Sequence, residues 1–445
     1  MFCKYPPFST RVGFLTIALC LWAPVSHAEL LADAVESALR YHPGVEAAIA
    51  NRDAYAQERK EQWAEHFPSL NLRGSGGRVY GDNSTSRGLT VTRGAAYSPL
   101  WEGSATLTQP LFDGFETFNR VDAAQMRQNS ATYNIVDVRE NLALRTVIAY
   151  LDVLRSREAL EKVNLHKKLL EDYRTRIQKM VNEGAADESM VVQAQDIAKQ
   201  LESTMVDLEG QLKSSNAQYA ELTGHMPDDP MERPVPRPDV IPDVADEAVV
   251  YAKQNHPALK AAQSTEQALA YDADAEKQFY YPDVNGEFSY LKRDQVDEIG
   301  GEVIDAKAVV RLNWDISLAG GQVARMRKAQ QRQYEGRAKR AETERTIERE
   351  IRTAFSDLET AQARVNLQND RVSINERLFK NYQAQFEGAR VNLLQLLQSD
   401  NAVFNTKLGL MNSEYRLVAS RFAVLASMGR LQEALTTLPA RADDK

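Results

Sequence analysis

The chain says the same thing twice. Residues 33–72 read DAVESALRYHPGVEAAIANRDAYAQERKEQWAEHFPSLNL, and EAVVYAKQNHPALKAAQSTEQALAYDADAEKQFYYPDVNG, starting at Glu247, lies beneath them without a gap. His42-Pro43 falls on His256-Pro257, Ala47-Ala48 on Ala261-Ala262, Phe67-Pro68 on Tyr281-Pro282, and Leu70 on Val284. Further along, Phe112-Asp113-Gly114 pairs with Leu318-Ala319-Gly320, and Ala149-Tyr150-x-Asp152 with Ala354-Phe355-x-Asp357. Two tandem copies of one long unit demand internal pseudo-symmetry, which restricts the fold more than any local motif does.

The expected organisation follows from that repeat. Residues 1–28 form a leader, 29–225 a first copy, 226–243 a connector, 244–430 a second copy and 431–445 a C-terminal tail. Lys4 and Arg11 supply a positive start, Val12 to Ala23 a short apolar core, and Ser26-His27-Ala28 a small-x-small cleavage pattern before Glu29. The apolar stretch is shorter than the roughly 20 residues a membrane-spanning helix needs. Leu19 stands before Cys20 where a lipidation signal wants a small residue, so an ordinary secretory leader cut between Ala28 and Glu29 is expected.

Both cysteines, Cys3 and Cys20, fall inside that leader, so the mature chain has no thiol, disulfide or cysteine ligand. The formal charge of −8 becomes more acidic once Lys4 and Arg11 leave. An acidic surface argues against nucleic acid as a partner.

Within each copy the order reads helix, strand pair, long helix, turn, helix. The first helical stretch, from about Leu30 to His66, breaks at His42-Pro43, because a residue before proline is pushed out of helical geometry. Phe115 to Val181 contains no proline and would reach about 100 Å as a helix. Its apolar rhythm runs Leu142, Thr146, Ala149, Val153, Leu160, Val163, Leu170, Ile177. The second copy answers with Ile347, Ile351, Ala354, Leu358, Ala361, Val365, Val372, Phe379. Such spacing means coiled-coil packing. Leu201 to Leu222 and Phe404 to Leu425 step 4-3-4-3 as returning helices, after turns at Glu183-Gly184 and Glu387-Gly388. Met226 to Pro242 holds six of the sixteen prolines, which makes it a stiff extended connector.

The strand signals sit between the helices. Ala306, Ala308, Val310, Leu312, Trp314, Ile316 and Leu318 alternate with Lys307, Arg311, Asn313, Asp315 and Ser317, Val309 being the exception. A period of two over about a dozen residues suits a transmembrane β-strand, with Val310, Leu312, Trp314 and Ile316 facing lipid. Val284, Phe288 and Tyr290 alternate before it, and about Ser69 to Tyr80 and Ser98 to Phe112 are the first-copy partners, joined by a Gly/Ser/Asn-rich loop. Four strands cannot close a barrel, and an open edge in lipid leaves backbone groups unsatisfied. Several chains would have to share one. Pattern alone also admits soluble hairpins capping a periplasmic coiled-coil scaffold, which would leave that apolar stripe idle.

Chemistry is sparse. No nucleophile elbow, zincin helix, phosphate loop or dinucleotide fingerprint occurs. The glycines of Gly74-Ser75-Gly76-Gly77 open no helix and read as a loop or bent strand, and the mature histidines lack ligand spacing. Neither an enzyme nor a cofactor is expected.

The chain resembles the TolC-type outer-membrane factor family, the exit ducts of Gram-negative export machines. The resemblance is carried by the twice-used His-Pro break, Phe67-Pro68 and Tyr281-Pro282, Gln109-Pro110-Leu111-Phe112-Asp113-Gly114, the two Glu-Gly turns, and Leu393-Leu394-Gln395-Leu396-Leu397. It implies a mainly α fold with a membrane β-barrel portion: paired α-helical hairpins forming a periplasmic α-barrel, and four strands per protomer contributing to a homotrimer's twelve-stranded barrel in outer-membrane lipid. The connector and tail would form a belt around the helical barrel. Phe112-Asp113-Gly114-Phe115 and the undivided leader resemble the type I secretion branch, whose ducts work with a periplasmic adaptor and an inner-membrane ABC transporter. The alternative is the outer component of a tripartite small-molecule efflux pump. The resemblance implies that the family's aperture aspartates are matched here by Gln395 and Gln398, with Asp400 close enough to compensate and Arg390 available to pair with it or with a neighbouring chain.

Overall fold

A computed structural model describes residues 29–81, 96–235, 240–295, 302–388 and 391–436. The leader through Ala28, the loop between the first two strands, Arg390 and the end of the tail lie outside the described residues. Helices α1 (Leu31–Tyr41) and α2 (Pro43–Ala64) lead into strands β1 (Ser69–Gly81) and β2 (Ala96–Phe112). Helix α3 (Glu116–Asn182) then descends and α4 (Glu188–Thr223) returns. The second copy repeats the order as α5 (Ala245–Asn255), α6 (Pro257–Ala275), β3 (Asp283–Gln295), β4 (Glu302–Asn313), α7 (Gly321–Glu387) and α8 (Leu393–Ser427). A short α9 (Leu431–Thr436) follows.

The repeat is therefore structural. Helices α3 and α7 are both 67 residues long, and α4 and α8 are 36 and 35. At about 1.5 Å per residue each long helix reaches about 100 Å. On α3 the expected stripe is buried at Leu142, Thr146, Ala149, Val153, Val163, Leu170 and Ile177, while Leu160 is half-buried. On α7 only Gly336, Ile347, Ile351, Ala361 and Val365 are fully covered among the described residues, so much of its surface has no partner within one chain. Helix α3 packs on α1, α2, α4, α6, α8 and α9, whereas α7 packs on α5, α6 and α8.

Both helix breaks have the same chemistry. His42 caps α2, its Nδ1 accepting the Gly44 amide at 3.0 Å, and His256 caps α6, its Nδ1 accepting the Ala258 amide at 3.2 Å. Each is followed by proline at the first helical position, where the missing N–H costs nothing. The histidines are structural, as the absence of ligand spacing suggested.

Candidate channel wall and periplasmic mouth

The four strands form one antiparallel sheet in the order β1-β2-β3-β4. Register sorts the side chains by face. Leu70 pairs with Leu107, Leu107 with Phe288, and Phe288 with Ala308, so one apolar row crosses all four strands. A second row runs Leu72, Ala105, Tyr290, Ala306, and Val310 and Leu312 continue the same face on β4. The opposite face carries Asn71, Arg73, Ser104, Thr106, Ser289 and Lys307. Two ion pairs cross it, Arg293–Glu102 and Arg311–Glu287, each at 2.9 Å. Val79, Leu100, Leu291, Val303 and Val309 are apolar exceptions on that side. One face suits lipid and the other water.

Local chemistry shapes this wall. The sequence Gly74-Ser75-Gly76-Gly77, read as a loop or bent strand, lies within β1. A Cβ on Gly76 would come within 2.8 Å of the Trp101 ring, so the indole lies across bare backbone. Pro110 sits in a strand paired on both sides, but at a register shift between Pro110 and Phe112, where no ladder amide is demanded of it.

The expected alternation through Ile316 needs correction. Strand β4 ends at Asn313, which pairs with Asp283, and Trp314 and Ile316 follow in an extended segment outside the ladder. The cause is Pro282, which has no N–H to continue the pairing. The Trp314 Nε1–H instead donates to the Phe279 carbonyl at 3.3 Å. At the same end of the sheet Phe112, Phe115 and Tyr281, which border the strand ends, meet edge to face with centroids 5.5 to 6.3 Å apart. Aromatic rings collected at one end of an apolar band mark a membrane–water interface.

The strand-to-helix junction is fixed by Gly114, which has φ +66, as its repeat mate Gly320 has φ +73. A Cβ on Gly114 would press within 3.0 Å of the Gln278 carbonyl. Asp113 then accepts the Thr117 amide at 2.8 Å and starts α3.

At the far tips the turns differ. Gly184 has φ +74, and Ala185 donates back to the Met180 carbonyl at 2.8 Å, a Schellman turn. The second turn is held by a capping box: Asn392 accepts the Gln395 amide at 2.9 Å, and the Gln395 side chain accepts from the Asn392 amide. Gln395 and Gln398 are both exposed on the first turns of α8 and share one face. Asp400 does not join them. At about 100° per residue it points about 140° away from Gln395, and its carboxylate, 14% exposed, faces His166 of α3. The His166 ring stacks on Phe404 at 4.0 Å. Burial holds the Asp400 carboxyl above its usual range, with Lys407 opposing, and holds the His166 imidazole below its own.

The connector is strapped to the helices. The Arg157 guanidinium donates to the Pro227 and Asp228 carbonyls at 3.1 and 2.8 Å. Arg233 pairs with Glu414 at 2.9 Å and lies over the Tyr415 ring, whose hydroxyl donates to Glu158 at 2.8 Å. The tail helix α9 is anchored by Glu140, which accepts the Leu431 and Gln432 amides at 2.9 and 3.2 Å. Burial raises that carboxyl, and the amides of a helix start pull it back. None of these anchors was legible beforehand, since each joins residues far apart in sequence.

No helix among the described residues is long and apolar enough to cross a membrane, and no group of potential metal ligands gathers there. Two long hairpins carrying an amphipathic open sheet have the architecture of outer-membrane channels. The family model described as outer membrane efflux protein matches residues 34–225 and 248–430, and the chain belongs to that family, the TolC-type outer-membrane factors. Outer membrane efflux protein BepC of Brucella suis is 24% identical over 360 residues, covering 80% of this chain and 77% of its own. A membrane protein from Pseudomonas aeruginosa has the same fold with TM-score 0.79 at 17% identity, over 89% of this chain and 93% of that one. The Campylobacter jejuni CmeC outer membrane channel gives 0.77 at 13% identity, over 90% and 86%.

Proposed function

We propose that three copies of this chain close one twelve-stranded barrel in the Gram-negative outer membrane and extend their hairpins through the periplasm as a shared α-barrel. The observation that carries this reading is the sheet. It has an apolar face, a polar face crossed by ion pairs, and outer edges on β1 and β4 that pair with nothing among the described residues. Pairing β4 of one copy with β1 of the next removes both edges, which lipid does not tolerate. It would also supply partners for the backbone around Trp314 and Ile316. The exposed side chains Leu367, Ile374 and Leu378 of α7, spaced by seven and four, fit burial against a neighbouring copy. Membrane fractionation with unheated gels tests the assembly: trimers in the outer-membrane fraction support it, and a soluble periplasmic monomer ends it.

For cargo, the reading is the exit duct of type I protein secretion, working with a periplasmic adaptor and an inner-membrane ABC transporter. Its support is the leader, in which Leu19 before Cys20 disfavours acylation. A second reading, the outer component of a small-molecule efflux pump, is favoured by the description of BepC as an efflux protein. Deleting the gene separates them. Loss of a secreted protein from the medium with unchanged drug susceptibility supports the first reading, and the converse supports the second.

A further inference from the structure

Glu29 is 7% exposed, and every polar atom it carries is engaged. Its N–H donates to the Pro230 carbonyl at 2.9 Å, and its carbonyl accepts the Glu232 amide at 3.1 Å. Those two bonds stitch Glu29 alongside Met231 in a parallel bridge. The same carbonyl accepts from the Tyr150 hydroxyl at 2.7 Å, a hydroxyl that also lies 2.7 Å from the Glu232 carbonyl. On the side chain, Oε1 accepts from the Tyr219 hydroxyl and Oε2 accepts from the Asp228 amide at 2.9 Å. The residue thus ties the connector to α3 through Tyr150 and to α4 through Tyr219.

One thing is missing from this arrangement. A buried carboxylate ordinarily has a cation beside it, yet among the described residues no lysine, arginine or histidine forms an ion pair with Glu29. We propose that the counter-charge is the chain's own α-ammonium, created at Glu29 when the leader is removed after Ala28, and that the new amino terminus locks the connector in place. The bond broken is the Ala28–Glu29 amide, hydrolysed by water. The hydroxyl goes to the Ala28 acyl carbon, whose acid then ionises. The nitrogen gains one hydrogen from water and one proton, becoming an ammonium. That nitrogen already points at the Pro230 carbonyl, and its new charge sits on the same residue as the buried carboxylate. Maturation and closure of the belt are then one event. The proposal rests on the cleavage expected from the leader and is independent of what the channel carries.

The test uses the full chain exported in cells and three forms of it: wild type, Glu29→Gln, and an insertion of Ala-Gln between Ala28 and Glu29, which adds no second small-x-small pattern. The insertion keeps the cleavage pattern but moves the amine two residues away from its seat. N-terminal sequencing should return Glu29 for wild type; any other start overturns the proposal. An amine-reactive ester at pH 7, where α-amines (pKa about 8) react ahead of lysines, should label the native wild-type terminus at least tenfold more slowly than that of the insertion form. A glutamyl endopeptidase should cut after Glu232 in the connector at least tenfold faster in the insertion form and in Glu29→Gln. Equal labelling, or equal cutting of wild type and the insertion form, overturns the proposal. Should the insertion form fail to fold, native and denatured wild type are compared directly: tenfold protection of the native terminus supports the seat, and equal labelling refutes it.

Discussion

His166 Nδ1 on α3 and Asp400 Oδ2 on α8 stand 3.9 Å apart inside the seam between the two hairpins. That is ion-pair range but too far for a hydrogen bond. Burial makes each group prefer its neutral form, so the seam disfavours charge. Tyr173 faces the same carboxylate, and Lys407 is the cation that partly offsets its burial. The raised carboxyl contributes stability while protonated, and that contribution is lost as pH rises through the folded value.

Replacing Asp400 with asparagine should therefore raise the Tm by a few degrees at pH 7.5 and by nothing at pH 4. Thermal melts of trimers in detergent at the two pH values measure this. A drop at pH 7.5 would show that the ion pair outweighs the burial of its charges.

His256 should make the protein acid-sensitive. Burial lowers its imidazole to about 4 from an ordinary 6.5, so stability is complete above pH 6.5 and is lost as pH falls towards 4. Linkage puts the loss at up to about 3 kcal/mol. Asparagine is also a good helix cap, so His256→Asn should keep α6 capped and remove that part of the acid loss. Denaturant midpoints from pH 7 to pH 4 would show a flatter profile for the variant.

The apolar row of β4 can be tested by position. Val310 lies well inside β4 and Leu312 near its end, both on the apolar face, while Asn313 points the other way. Arginine near the bilayer midplane costs about 2–4 kcal/mol and near an interface about 0–1. Val310→Arg should strongly reduce trimer yield, Leu312→Arg should do so mildly, and Asn313→Arg should be tolerated. Equal tolerance at all three would place the sheet outside lipid.

The mouth offers a gain-of-function test. If Gln395 and Gln398 ring the aperture, the closed channel should have weak cation selectivity and little block by divalent or trivalent metal ions, because amides lack the field of carboxylates. The double variant Gln395→Asp/Gln398→Asp should acquire metal block from the periplasmic side. An acid on the first turn also suits the helix dipole, so α8 should persist. Single-channel conductance in planar bilayers decides it; tight block of the wild type would count against the amide aperture.

What sequence could foretell was whatever has a period. The stripe of α3 appears almost wholly as buried residues, that of α4 as buried and half-buried ones, and the alternation on β4 appears as a two-faced sheet. Trp314 misled because side-chain alternation outlasts backbone pairing; the ladder stops where Pro282 lacks its N–H. Asp400 misled because adjacency along a helix is not adjacency around it. Contacts such as Tyr150 with Glu232 or Glu140 with Leu431 leave no local signal, since one closed hydrogen bond between distant residues has no period to detect.

The equal lengths of α3 and α7 carry a consequence for how such a chain can change. Losing seven residues from one of them would preserve its packing stripe yet shorten it by about 10 Å, so the two copies would no longer match in length. Length in one copy is therefore tied to length in the other, and insertions or deletions should be tolerated only in matched pairs, in whole heptads, at equivalent places along the two helices.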